Sequence, residues 1–503
     1  MGRTAVLIAR TRAAIALVAL VAALSASPFA RAEPALDRFD VRLVAALGDP
    51  ADPAVRTHLE HAATLGFNAV WLSAGHAGHW SAAAAPDGPF LDPAFGEFVT
   101  WCRDRGLRVF VMLSPVGMTA GTHRFTDRDA RRRLVRFVRL LRRAGVRDLA
   151  LAFDDQPTTL SELNDVLRFG RSAATAHLDL ARRLARVGLG RGSFWLIPAA
   201  DCDAHLGDGT GPYSAALLAG LADLPDRVGL VWTGPEVISA SITRADLAAT
   251  RARLGGRRLL VFDNYPNNGD FRRIGTGLVL GPLRRRGNDL HLEADAYLSI
   301  PTWQLGAARL PLATVADWLA GPRDYDPDAS WERAIERLAG DDARAAAALR
   351  VQATEWGGWV GELNYHPAWV DNVVRAGERL DEPAWVASWK WTRRRYPERM
   401  RDLEGLADPV FRDDLLRVME RGLWIARAIP PAVEFRARAA AGRSDLGEAL
   451  APILAIRSDP ALGPDAARAL DLFLAAADIP IEGPPPAIPP QPGADAPSAE
   501  DTP

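Results

Sequence analysis

The chain has 503 residues, of which 48% are hydrophobic, 24% charged and 8% aromatic; this is enough apolar material for a large buried core and far from a disordered or collagenous composition. Sixty basic against sixty-two acidic side chains leave a net charge of −2, which argues against a general polyanion binder and makes nucleic acid a poor partner. Two cysteines, Cys102 and Cys202, are too few for a disulfide scaffold or a cysteine-built zinc centre, and both are expected as free thiols.

Arg3, Arg10 and Arg12 precede an apolar run from Ala13 to Leu24, and Ala30-Arg31-Ala32 supplies the small-x-small pattern that signal peptidase reads. Residues 1–32 are therefore expected to be an export signal, with a mature chain that begins at Glu33 and works in the periplasm or outside the cell. The apolar run has 12 residues, short of the ~20 that cross the hydrocarbon of a bilayer. No later segment reads as an integral membrane span.

From Asp40 onward, short β-like apolar runs alternate with longer stretches of helical period. The expected strands, in chain order, are Val41–Leu47, Asn68–Ser73, Arg108–Ser114, Asp148–Phe153, Ser193–Pro198, Val228–Thr233, Arg258–Asp263 and Asp295–Ile300. Eight parallel β/α units suit a closed (β/α)8 TIM-like barrel over residues 33–320. Between strands, Arg131–Ala144 carries Leu134, Phe137, Val138 and Leu141 on one stripe and arginines on the other, as the outer helix of a barrel does. His58 and His61 fall on the first crossover helix, where surface placement is expected. Residues 321–480 lose the strand signal and read as an all-α domain, whose tryptophans are expected to pack between helices. Residues 481–503 are rich in Pro and Ala and poor in large apolar side chains, so they are expected to form a disordered tail.

In such a barrel the chemistry collects at the C-terminal ends of the strands. The fourth run, LALAFDD, ends there with two adjacent carboxylates, Asp154 and Asp155. Neighbouring acids must be solvated, hydrogen-bonded or separated in pKa by repulsion, which can leave one anionic while the other carries a proton. That division suits work on a glycosidic bond, although a helix N-cap with a solvated neighbour gives the same pattern. There is no GxSxG elbow, P-loop or dinucleotide fingerprint. No cofactor is called for.

Five ordered segments, Leu149–Pro157, Leu230–Thr243, Phe262–Pro282, Leu310–Leu319 and Tyr325–Ile335, resemble glycoside hydrolase family 84, which includes O-GlcNAcases and the bacterial β-N-acetylglucosaminidases historically called hyaluronidases. The resemblance implies substrate-assisted retaining catalysis, in which the sugar's own 2-acetamido oxygen attacks the anomeric carbon and gives an oxazoline; this is an exception to the two-carboxylate scheme. It implies that Asp154 holds the acetamido N–H and that Asp155 is the general acid and then the general base. It also implies that Asn264 seats the acetamido group, that Asp270 binds sugar hydroxyls and that Phe262 walls the pocket.

The chain departs from the family at several strand ends. The first reads AALGDP, where only Gly48 stands in for the family glycine. The second reads LSAGH, without the sugar-binding lysine; the only lysine of the chain is Lys390. Asp201 or a neighbour replaces a tyrosine, and Ser299-Ile300-Pro301 replaces an asparagine with isoleucine. His76 and His79 occupy the loop that lacks the lysine and can contact substrate hydroxyls; two histidines without a third ligand are a weak metal signal. Each sugar hydrogen bond lost removes about 0.5–1.5 kcal/mol. Three readings follow: an exported hexosaminidase with altered or lost activity on a glycan or glycoconjugate, a non-catalytic glycan-binding or envelope scaffold protein on a degenerate barrel, or an enzyme that uses this barrel end on a different polysaccharide.

Overall fold

The computed structural model describes residues 38–73, 81–82, 90–91, 93–115, 124–188, 190, 192–267, 278–358 and 377–480. The expected signal, the tail, His76, His79 and Asp270 lie outside them.

Eight parallel strands close into a barrel: β1 Val41–Ala46, β2 Ala69–Ser73, β3 Arg108–Leu113, β4 Asp148–Ala152, β5 Phe194–Ile197, β6 Val228–Trp232, β7 Leu259–Pro266 and β8 Ala296–Ile300. Each pairs with its neighbour in sequence, and β8 returns to β1 through Val41 opposite Ala296. Seven strands end within two residues of the sequence-based expectation. β7 instead runs three residues past Asp263, carrying Asn264 into the sheet.

Strand alternation sorts the apolar side chains into two cores. Leu43, Trp71, Phe110, Ala150, Ala152, Trp195, Ile197, Val231, Leu260 and Leu298 fill the interior of the barrel. Val44, Val70, Val111, Leu151, Leu196, Leu230 and Val261 face outward and pack under the helices. The interior is therefore packed rather than open, as small parallel barrels require.

The surrounding helices are α1 Pro53–Thr64, α2 Pro93–Asp104, α3 Arg128–Arg143, α4 Leu163–Phe169, α5 Ala173–Gly188, α6 Asp203–Leu206, α7 Pro212–Gly220, α8 Arg244–Arg253 and α9 Arg309–Ala320. On α3 the apolar stripe is buried and Arg131 turns inward to pair with Asp179. His58 corrects the expectation of a surface position: it is 3% exposed, because its place in the turn matches Val55 and Leu59 on the buried face of α1. Cys102 and Cys202 are both free and buried.

The helical region follows as α10 Pro327–Ala339, α11 Ala343–Glu355, α12 Pro383–Leu403, α13 Pro409–Ala440, α14 Leu446–Arg457 and α15 Pro464–Ala476. Its inner core is shared with the barrel: Leu310 and Ala313 of α9 pack with Trp331, Leu349, Phe411, Leu415 and Met419. Trp331 Nε1 donates to the Leu280 carbonyl at 2.9 Å, and the Gly306 N–H donates to Asp414 Oδ2 at 2.8 Å. Trp356 and Trp389 are buried in packing positions. No helix among the described residues is long and apolar enough to cross a membrane.

Candidate active site

The two ends of the barrel use their polar residues differently. At the N-terminal end, Asp148 accepts from Arg108 Nη2 at 2.9 Å, Ser193 N at 2.9 Å and Ser193 Oγ at 2.7 Å. Asp295 similarly accepts from Arg258 Nε and from the Leu259 N–H, each at 3.0 Å. These carboxylates are saturated by partners and tie strand starts together.

At the C-terminal end, Asp154 and Asp155 are far less satisfied among the described residues. Asp154 continues the inward parity of Ala150 and Ala152, while Phe153 turns outward and is buried. Asp154 is half-buried and Asp155 is exposed. Burial, with the nearby charges of Asp155 and Asp201 adding to it, pushes the Asp154 carboxyl up to about 7. Asp155 has φ +55°, a left-handed backbone that costs most non-glycine residues energy and that aspartate tolerates better than most. The chain turns sharply there and sends adjacent carboxylates to different depths.

Asp201, in the segment that follows β5, is the third acid. It is 8% exposed, and its Oδ1 lies 3.0 Å from His205 Nδ1. Burial pushes its carboxyl up, the hydrogen bond to His205 pulls it back, and the charge of Asp155 adds to the rise. Sequence reasoning met Asp201 only as the replacement for a tyrosine; its pairing with a histidine four residues on was readable as a helical-turn spacing.

Packing behind the acids fixes their strand ends. Phe153 stacks on the His177 ring with centroids 3.7 Å apart, and His177 Nδ1 lies 3.0 Å from Tyr213 Oη. That hydroxyl accepts the Ala199 N–H at 2.9 Å, which couples the chain beside Asp154 to the chain before Asp201. Buried Asp165 of α4 accepts from Phe125 N at 2.8 Å, Thr126 N at 2.7 Å and Thr126 Oγ1 at 2.6 Å. The segment after the Asp154–Asp155 turn is thereby pinned to the loop that follows β3.

The other expected residues occupy the same end of the barrel. Phe262 faces inward, half-buried, in edge-to-face contact with Trp71 at 6.0 Å, and caps the packed interior of the barrel. Asn264 is half-buried and donates its amide to the Val237 carbonyl at 2.7 Å, which orients the amide toward the loop after β6. Gly48 follows β1 with φ +111°, and a Cβ there would sit 3.3 Å from Val55 Cγ2; only glycine makes this turn without strain. Between β7 and β8, buried Asp263 accepts from Arg286 Nε at 2.6 Å and Nη2 at 2.9 Å, and Tyr297 Oη also donates to it. Asp263 is therefore consumed structurally, one residue before Asn264.

A family model described as beta-N-acetylglucosaminidase matches residues 92–353, a span that holds Asp154, Asp155, Asp201 and Asn264. The chain belongs to the β-N-acetylglucosaminidase family. It is thus a glycoside hydrolase of the hexosaminidase type by family. Among solved structures it is similar to a mutant of the Thermobaculum terrenum O-GlcNAc hydrolase, with TM-score 0.58 and 18% identity over 87% of this chain and 94% of that one. It is also similar to CpGH84B, with TM-score 0.56 and 15% identity over 87% of this chain and 77% of that one. These likenesses concern the fold: a barrel followed by helices.

Proposed function

We propose that this family member is an exported β-N-acetylhexosaminidase that removes a terminal 2-acetamido sugar from a glycan or glycoconjugate by substrate-assisted retaining catalysis. The observation that carries the reading is the Asp154–Asp155 pair, one acid half-buried with its pKa near 7 and the other exposed on a left-handed turn at the catalytic end of the barrel.

The mechanism uses one proton of the pair. In the free protein the deeper carboxyl, Asp154, is the one that favours it. An acetamido N–H donating to Asp154 stabilises the anion there, and the proton passes to Asp155 beside the leaving oxygen. The acetamido oxygen then bonds to the anomeric carbon, the glycosidic C–O bond breaks, and Asp155 gives its proton to the departing alcohol. The N–H proton moves to Asp154, leaving a neutral oxazoline. Water then adds at the anomeric carbon as the oxazoline C–O bond there breaks, giving one proton to Asp155; Asp154 returns its proton to the nitrogen, and the acetamide is restored with net retention. Asn264 and Phe262 would seat and wall the acetamido group, Gly48 would let the backbone approach the sugar, and Asp270 would bind hydroxyls; His76 would contact substrate in place of the missing lysine.

The test compares aryl N-acetylhexosaminides with good and poor leaving groups. Asp155→Asn should slow the poor leaving group by about 10²–10³-fold and the good one by less than about tenfold, because only the former needs the proton. Equal losses on both would count against the acid assignment. The carboxylate at Asp201, at or beside the position of a family tyrosine, favours a second reading: a glycan-binding barrel without turnover. That reading expects sugar binding that survives Asp155→Asn and no hydrolysis of either substrate. The export part rests on the arginines before the apolar run and on Ala30-Arg31-Ala32.

A further inference from the structure

Beside the carboxylate pair, three side chains of different donor type converge after β5. Asp201 Oδ1 lies 3.0 Å from His205 Nδ1, Cys202 Sγ accepts the His205 N–H at 3.4 Å, and one ligand atom from each of the three residues lies within 4.8 Å of the other two. The backbone that presents them is held from the β6 side. Thr233 N donates to the Asp201 carbonyl at 2.9 Å, Asp203 N to the Gly234 carbonyl at 3.1 Å, and Ala204 N to the Pro235 carbonyl at 3.0 Å. Cys202 and Asp201 are buried, whereas the His205 side chain is 51% exposed and gives the cluster a way in from solvent.

Oxygen, thiolate sulfur and imidazole nitrogen together form a borderline-soft donor set. It suits zinc and its spectroscopic substitute cobalt(II), while calcium and magnesium prefer shells of oxygen alone. Zinc bonds of about 2.0–2.3 Å place tetrahedral ligand atoms about 3.3–3.8 Å apart, a spacing these side chains reach by small rotations.

We infer that Asp201, Cys202 and His205 form a binding site for a zinc-class divalent ion at the edge of the active-site cleft, and that its occupancy inhibits hydrolysis. Binding releases the Cys202 thiol proton to solvent and replaces the Asp201–His205 hydrogen bond with two metal bonds. Three protein ligands leave a fourth position open. A divalent charge held there attracts the carboxylates of Asp154 and Asp155 and competes with the substrate for them. The binding half of the inference stands apart from the proposed activity, and only the inhibitory half rests on it.

The experiment titrates cobalt(II) into the mature protein after treatment with a chelator. One equivalent should produce the near-ultraviolet thiolate-to-cobalt charge-transfer band, and zinc should bleach it. Cys202→Ser should remove the band, Cys102→Ser should keep it, and His205→Gln, at an exposed side chain that the fold tolerates, should weaken binding at least tenfold. Absence of the band, or a band unchanged in both Cys202→Ser and His205→Gln, overturns the site. Zinc should inhibit aryl hexosaminide hydrolysis with the half-saturation seen for cobalt displacement. A band without inhibition of an active enzyme overturns the inhibitory half, and a band in a protein that hydrolyses nothing leaves the metal site standing while the hydrolase reading fails.

Discussion

Asp154 is expensive to ionise where it sits. Its folded pKa of about 7 lies above the ordinary aspartate value of 3.8, so the folded chain binds this proton more tightly than the unfolded one. The stability tied to that proton is fully present below pH 3.8 and is lost as the pH rises through 7. Asp154→Asn, which mimics the protonated form, should therefore be more stable than the parent at pH 8 by about 1–3 kcal/mol and about equal to it at pH 4. Urea denaturation at the two pH values checks this. A variant destabilised equally at both would show that the carboxylate is satisfied rather than strained. The same variant should lose hydrolysis, the usual opposition of stability and activity at a site built on a desolvated acid.

At the scale of elements, the β7–β8 edge depends on one buried ion pair. Arg286 and Asp263 are each almost wholly enclosed, with the Tyr297 hydroxyl as third partner. Arg286→Met leaves the Asp263 charge without compensation and should cost about 3–5 kcal/mol, read as a lower denaturation midpoint; Asn264, next in the strand, should lose its hold with it. The double variant Asp263→Asn with Arg286→Met should recover much of that loss, because no bare charge remains. Elements of this kind show what a linear reading reaches. Strand runs were legible because a short continuous apolar run is a local feature, and the paired acids were legible because they end such a run. The partnership of Arg286 with Asp263 spans 23 residues and that of Phe125 with Asp165 spans 40, and no periodicity announces either. His58 was misplaced for the same reason: a polar letter on a helix reads as surface until the neighbouring turn shows which face is covered. The extra length of β7 escaped because Asp-Asn-Tyr-Pro reads as a turn, although here the sheet continues through it.

For the whole molecule, the boundary near residue 320 separates secondary-structure types but not cores. Nearly every side chain of α9 is buried, some against the barrel and some against α10 and α13. Arg309 pairs with Asp408 across the same junction. Phe411→Ala should thus cost about 3–5 kcal/mol and lower the barrel and helical signals together in one calorimetric transition. Two separate transitions, with the barrel unmoved, would overturn the shared-core account. A chain cut after α9 would expose one side of that helix and is expected to aggregate.

The opposite treatment of acids at the two mouths of the barrel has a practical corollary for anyone wishing to redirect it. Carboxylates at the strand starts are spoken for by arginines and serines, so that rim behaves as masonry. Asp154 and Asp155 at the far rim are crowded and under-partnered, which leaves them free to be exchanged. Libraries confined to Asp154, Asp155 and Asp201 should accordingly yield folded variants at high frequency, while the same number of changes around Asp148, Asp263 and Asp295 should mostly yield inclusion bodies.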